Sequence, residues 1–264
     1  MDLFTREYTL VNSEMMSDYR IKPTSIVMYF EDCVATFLAT KQVAAFDIIK
    51  KNLIWVISEY QFSIVGTLPF WSEKFQVEVW ASEISELRLY MEFRLKYRGN
   101  IFAQGDSTWA ILDATTRHPV PIQSIVTNIT PIAEYINPTH KHRIEKSVGE
   151  PHLSTHTTNV NDIDFNRHIN NRTYVNFFAN SLPESFVHKD CTSALVKFKQ
   201  ESFFGDVLTC KTYKTATDDV LTASIVNDKG AEVCQLMASF GPNQLQQTIS
   251  EYDLGIRNYD FPSR

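Results

Sequence analysis

Ten residues, Asp162-Ile163-Asp164-Phe165-Asn166-Arg167-His168-Ile169-Asn170-Asn171, gather two carboxylates, three amides and an imidazole among apolar neighbours. In an extended stretch alternate side chains share a side, which would set Asp164, Asn166 and His168 together. A carboxylate, an amide and an imidazole on one face can orient, polarise and move protons. Apolar residues at helical spacing follow, in Tyr174-Val175-Asn176-Phe177-Phe178. Asn170 and Asn171 therefore stand where a helix begins, a position Asn favours as N-cap. Partial positive charge from unpaired N–H groups is available there, suited to an oxyanion.

Two simpler readings compete. Asp162-x-Asp164-x-Asn166 matches the opening ligands of a calcium loop, but that loop needs Gly at its sixth position and Glu at its twelfth. Arg167 and Thr173 stand there instead. The bland reading is a polar loop whose Asx side chains cap turns and a helix. Capping does not need an imidazole, so the full set points to chemistry. His152 and His156 have the i, i+4 spacing of a helical metal pair. The Thr-rich segment 154–160 around them reads as strand, and no metal is expected.

The elements that must position this run follow from the rest of the chain. With 264 residues and 44% hydrophobic content it can bury a large core. A net charge of −6 argues against nucleic acid as a partner. None of the eight glycines forms a phosphate-cradling pattern. Cys33, Cys191, Cys210 and Cys234 are scattered, as expected of buried thiols in a reduced compartment. The first residues carry charges where a signal peptide needs an apolar core, and no apolar run approaches the roughly 18 residues of a membrane span. The expectation is a soluble, cytoplasmic protein.

A weak internal repeat sets the architecture. Pro23-Thr24 precedes a helical stripe of Ile26, Tyr29, Phe30, Cys33, Val34, Phe37 and Leu38. Strand-like runs follow at 53–64, 75–80, 87–97 and 101–112, with a turn at Arg98-Gly99-Asn100. The second half repeats the order: a helix from about Thr173, then strands at 194–198, 207–213, 221–226 and 231–240. This is α+β organisation. Residues 1–118 form one unit and 151–264 a second, and the Pro-containing stretch 119–150 reads as a linker.

A helix wrapped by a curled antiparallel sheet, twice over, with a DxNxH run leading into the second helix, resembles a double hotdog. The chain is similar to the plant-type acyl–acyl carrier protein thioesterases and their bacterial relatives. Three stretches carry the likeness: 52–56 through Pro69-Phe70-Trp71 to 77–80, the run 162–171, and Glu201-Ser202 ahead of Gly205-Asp206-Val207-Leu208. The resemblance implies hydrolysis of a fatty acyl thioester on the phosphopantetheine arm of acyl carrier protein, without a cofactor. It places the catalytic set on Asp164, Asn166, His168 and Glu201. Ser202 stands where plant members carry a cysteine, which leaves a serine nucleophile or a water activated by a carboxylate; water is favoured, with Glu201 as base. N–H groups near Asn170 and Asn171 would hold the oxyanion. The family's first half lines an acyl tunnel, so Phe30, Phe37, Trp55 and Trp71 (with Trp80) are candidates for it.

No transit peptide of the plant kind is recognisable, which suits a cytosolic bacterial member. The alternatives are an acyl-coenzyme A thioesterase and a silent acyl-binding hotdog module. Neither nucleic acid nor membrane is an expected partner, and a homodimer is one option for an oligomeric state that the sequence leaves open. Acyl chain length and saturation are equally open.

Overall fold

The computed structural model describes residues 2–164 and 168–242. Asn166 lies outside them. The first half contributes β1 (Phe4–Thr9), α1 (Pro23–Thr40), a short α2 (Ala45–Ile48), β2 (Leu53–Ile64), β3 (Lys74–Ile84), β4 (Leu89–Tyr97) and β5 (Asn100–Asp113). The second contributes β6 (Val148–Thr157), α3 (Asn171–Asn180), a short α4 (Glu184–Val187), β7 (Asp190–Phe198), β8 (Val207–Lys214), β9 (Val220–Asn227) and β10 (Glu232–Gly241).

The strands join in one ten-stranded sheet of order β1-β3-β4-β5-β2-β7-β10-β9-β8-β6, with every pairing antiparallel. The seam between halves is β2 against β7, in register from Glu59 opposite Lys197 to Ser63 opposite Ser193. Each half lays a helix on its curled part of the sheet, the hotdog arrangement.

α1 starts at Pro23, whose fixed φ and missing N–H suit a first helical position. It buries Ile26, Tyr29, Phe30, Cys33, Val34, Phe37 and Leu38. Phe30 stacks on Phe93 at 4.2 Å between ring centroids and meets the edge of Trp109. Gly105 makes room at this point: a Cβ there would lie 2.6 Å from the Phe93 ring and 2.0 Å from the Gln61 carbonyl oxygen. The β4–β5 turn places Arg98 and Gly99 both at positive φ, as a two-residue hairpin of matching twist requires.

Three features depart from the sequence reading. β1 was not foreseen; it pairs with β3 from Phe4 opposite Val79 to Thr9 opposite Lys74. β6 begins at Val148, within the stretch read as linker. The preceding residues are no loose tether, because Ile122, Val126 and Ile129 are buried and Trp80 Nε1 donates to the Glu134 carbonyl. His152 and His156 both lie on β6, about 13 Å apart at strand rise, and His156 pairs with Asp162 at 2.8 Å.

Ionic ties cross between the halves, two of them at strongly buried groups. Arg20, 4% exposed, donates to Asp18 at 2.6 Å and to Asp190 at the start of β7 at 3.1 Å. Arg172 on α3 donates to the buried Glu14 at 2.7 Å. Among the described residues no helix is long and apolar enough to cross a membrane.

Candidate active site

The two described stretches of the polar run, 162–164 and 168–171, lie against each other. Asn159 and Asp162 cap the short turn at 160–162 reciprocally. Ile163 then bridges Ile169, the Asp164 N–H donates to the His168 carbonyl at 2.9 Å, and the His168 N–H donates to Asp164 Oδ1 at 3.3 Å. A shared face set by simple alternation is therefore not how Asp164 and His168 meet. Asp164 secures the backbone at His168, while the imidazole takes its partners from elsewhere.

Those partners are Glu201 and Arg117. His168 Nδ1 lies 3.2 Å from Glu201 Oε1, and Nε2 lies 3.1 Å from Arg117 Nη2. A guanidinium only donates, so Nε2 accepts from Arg117 and a neutral ring carries its proton on Nδ1, the nitrogen nearer Glu201. Arg117 Nη1 also reaches Glu201 Oε1, at 3.4 Å. One carboxylate oxygen thus holds both cationic or N–H partners, and Oε2 has no hydrogen-bond partner among the described residues. The Phe203 ring meets the imidazole edge-on at 5.3 Å between centroids. Ile169 N–H donates to the Ser202 carbonyl, which fixes the 199–206 segment against the His168 loop.

Asn170 caps α3, its side chain accepting from the Arg172 N–H at 2.8 Å, as its type and position suggested. Its own N–H is engaged by the Asp162 carbonyl. The Asn171 N–H has no partner among the described residues, so of the two it is the donor open to a ligand.

A cavity of ≈ 540 Å³ opens onto this cluster. Asp164, His168, Asn170, Asn171, Tyr174 and Glu201 line one side. The other side comes from the first half: Glu31, Ala35 and Leu38 on α1, Ala44 and Ala45, Trp55 on β2, Trp109 on β5, and Arg117. Trp55 is fixed by donation from Nε1 to the Val43 carbonyl. Phe30, Phe37 and Trp71 do not line it. The two phenylalanines face the sheet core, Phe37 against Phe4, and Trp71 is 49% exposed on a turn. The physical reason is helical spacing: positions 31, 35 and 38 form the α1 face turned to the cavity, and positions 30 and 37 lie on its neighbour.

Residues 1–130 match the acyl-ACP thioesterase N-terminal domain and residues 145–242 the acyl-ACP thioesterase C-terminal domain. The chain belongs to the acyl–acyl carrier protein thioesterase family. A chloroplastic palmitoyl-acyl carrier protein thioesterase of Gossypium hirsutum is 24% identical over 223 residues, covering 76% of this chain and 53% of that protein. The chain thus spans about half the length of the curated relatives it matches. An acyl-ACP thioesterase from Bacteroides thetaiotaomicron shares the fold with a TM-score of 0.80 at 20% identity, covering 90% of this chain and 98% of that one. The 12:0-ACP thioesterase from Umbellularia californica gives 0.79 at 17% identity, covering 91% and 97%.

In this family member the serine beside Glu201 is poorly placed to attack anything. Ser202 is fully buried, beside the Tyr174 hydroxyl, and neither oxygen makes a hydrogen bond of normal geometry among the described residues. A serine nucleophile needs an adjacent base within hydrogen-bond reach, and none of the described residues supplies one. Burial pushes the Tyr174 phenol up to about 12. Two residues of the site went unread in the sequence. Arg117 follows β5 in a Thr-rich turn with left-handed φ and belongs to no motif. Glu31 was hidden beside the apolar stripe of α1.

Proposed function

We propose that this chain hydrolyses the thioester of a fatty acyl–acyl carrier protein, releasing the free fatty acid and the carrier's thiol. The observation that carries the reading is the His168–Glu201–Arg117 cluster on the wall of a cavity otherwise lined largely by apolar side chains from the first half. Its volume is within the range of small-molecule sites. Glu201 Oε2 takes a proton from water as the water oxygen bonds to the carbonyl carbon. His168 and Arg117 hold the other carboxylate oxygen and fix the direction of Oε2. The oxyanion meets the Asn171 N–H at the N-terminus of α3. Collapse breaks the C–S bond, the thiolate leaves without needing a strong acid, and the proton held on Glu201 passes to it, which restores the carboxylate. Asn166, carried over from the family motif, is assigned to orient the water or the carbonyl. A cytoplasmic setting goes with this proposal, supported by four cysteines that all stand as free thiols.

The test is thiol release from acyl carrier protein and coenzyme A thioesters of equal chain length. Faster turnover of the carrier-protein substrate supports the reading. Preference for coenzyme A redirects it, and binding without turnover makes the chain an acyl-binding module.

Docking of an acidic carrier requires cations left over from internal pairing. Arg172 is tied to Glu14, and Lys197 lies 3.0 Å from Glu59. Arg117 is engaged by Glu201 and His168, Lys199 lines the cavity, and Lys141, Arg143 and Lys146 are exposed. Raising salt is expected to lower kcat/KM on the carrier-protein substrate and to leave a short neutral thioester little changed. Equal salt sensitivity of the two would count against docking by charge.

Chain length is expected to respond to the cavity face of α1. Ala35→Leu narrows the cavity and should shift products to shorter acids, lowering kcat/KM on the longest substrate by an amount equivalent to about 1–3 kcal/mol. Phe30→Ala should instead lower stability by about 3–5 kcal/mol and leave the chain-length order intact. Product profiles and urea melts of both variants check this; a profile shifted by Phe30→Ala alone would reverse the assignment of faces.

A further inference from the structure

Glu31 is a carboxyl group in the wall of a cavity that the hydrolysis reading fills with alkyl chain. It shares the α1 face with Ala35 and Leu38, at i, i+4 and i+7, and all three line the cavity. No Lys or Arg pairs with it among the described residues. Its hydrogen-bond partner is Asn171 Nδ2, at a long 3.4 Å. Burial pushes the carboxyl up to about 7, against the Asn171 amide and with the charge of Asp164 adding to the rise.

The neighbourhood is polar in the same unfinished way. Behind the wall, the Tyr60 hydroxyl, fully buried and close enough to feel the Glu31 charge, has no hydrogen-bond partner among the described residues. The Tyr174 hydroxyl, on another cavity-lining side chain, makes none of normal geometry. An unsubstituted alkyl chain laid here would leave the cavity-lining Glu31 carboxyl and Tyr174 hydroxyl desolvated and without a matching partner, which is costly. Since Glu31 shares Asn171 with the oxyanion position, the unmatched polarity faces the first carbons beyond the thioester carbonyl.

We propose that Glu31 is a specificity-determining residue that selects acyl chains bearing a hydroxyl at C3, the hydroxyl hydrogen-bonding to the Glu31 carboxyl group. The inference rests on the acyl-thioesterase reading and names its substrate class.

The experiment compares kcat/KM for 3-hydroxyacyl and unsubstituted acyl carrier protein of equal chain length, each 3-hydroxy enantiomer separately, in the wild type, Glu31→Gln and Glu31→Leu. The wild type should favour one 3-hydroxy enantiomer. Glu31→Leu should reduce that ratio by at least about tenfold, the scale of one buried hydrogen bond, largely through faster turnover of the unsubstituted chain. Glu31→Gln, which can still donate and accept, should retain most of the preference. A ratio unchanged in Glu31→Leu would overturn the proposal, as would an equal loss on both substrates in both variants, which would mark Glu31 as acting through Asn171 on the chemistry. Thermal shifts with the free 3-hydroxy and unsubstituted acids give a readout independent of turnover. A larger shift with the hydroxy acid, lost in Glu31→Leu, supports selection even if no thioester is hydrolysed, in which case only the hydrolysis reading fails. Equal shifts overturn the selection.

Discussion

Glu201→Gln is expected to lower kcat by about 10²–10⁴ while the protein stays folded. The amide keeps the size of the side chain, and its oxygen can still face His168 Nδ1 and Arg117. It cannot take a proton from water. His168→Ala should be comparably severe, because it removes the group that lies 3.2 Å from Glu201 Oε1 and is linked to Arg117. Ser202→Ala should keep most of the activity, since the hydroxyl it removes is buried and does not line the cavity. Steady-state kinetics of the three variants, with circular dichroism to establish folding, separate these outcomes. A Ser202→Ala enzyme as impaired as His168→Ala would mean that the buried hydroxyl becomes reactive in the complex.

Arg20→Met is expected to cost about 3–5 kcal/mol of stability, the scale of breaking a buried ion pair by removing one partner. Asp18 is itself buried, and Asp190 opens β7, the strand through which the second half pairs with β2. The loss should therefore appear as a lower urea midpoint for the whole transition, and any change in slope would report that the halves have come apart in their unfolding. A loss below about 1 kcal/mol, the range of exposed pairs, would show that water replaces the guanidinium readily.

The elements legible in the sequence are those whose periodicity and punctuation agree. β2 spans Leu53–Ile64 as its β-branched and aromatic run suggested, and α1 is announced by Pro23 and a long apolar stripe. The Arg98-Gly99 turn was readable because few residues tolerate positive φ. β1 was not readable, because Phe4-Thr5-Arg6-Glu7-Tyr8-Thr9 is a half-exposed edge strand with little apolar content. The polar run was visible as a composition, but the contacts of its described ends were not: Ile163 bridges Ile169, and the Ile169 N–H is held by the Ser202 carbonyl. Arg117 lies 51 residues from His168 and is brought to it only by the joining of the halves. On α1 the stripe was right and the face was not, since one helical position separates Phe30 in the core from Glu31 in the cavity.

The central claim is that water, activated at Glu201 and not preceded by a serine ester, cleaves the thioester. Rapid-quench mass spectrometry of the enzyme mixed with acyl carrier protein tests it most directly. The account predicts free carrier protein and free acid rising together from the first time point, with the enzyme at its unmodified mass throughout. An enzyme heavier by one acyl group, with the adduct mapped to Ser202 and formed as fast as carrier protein is released, would contradict it.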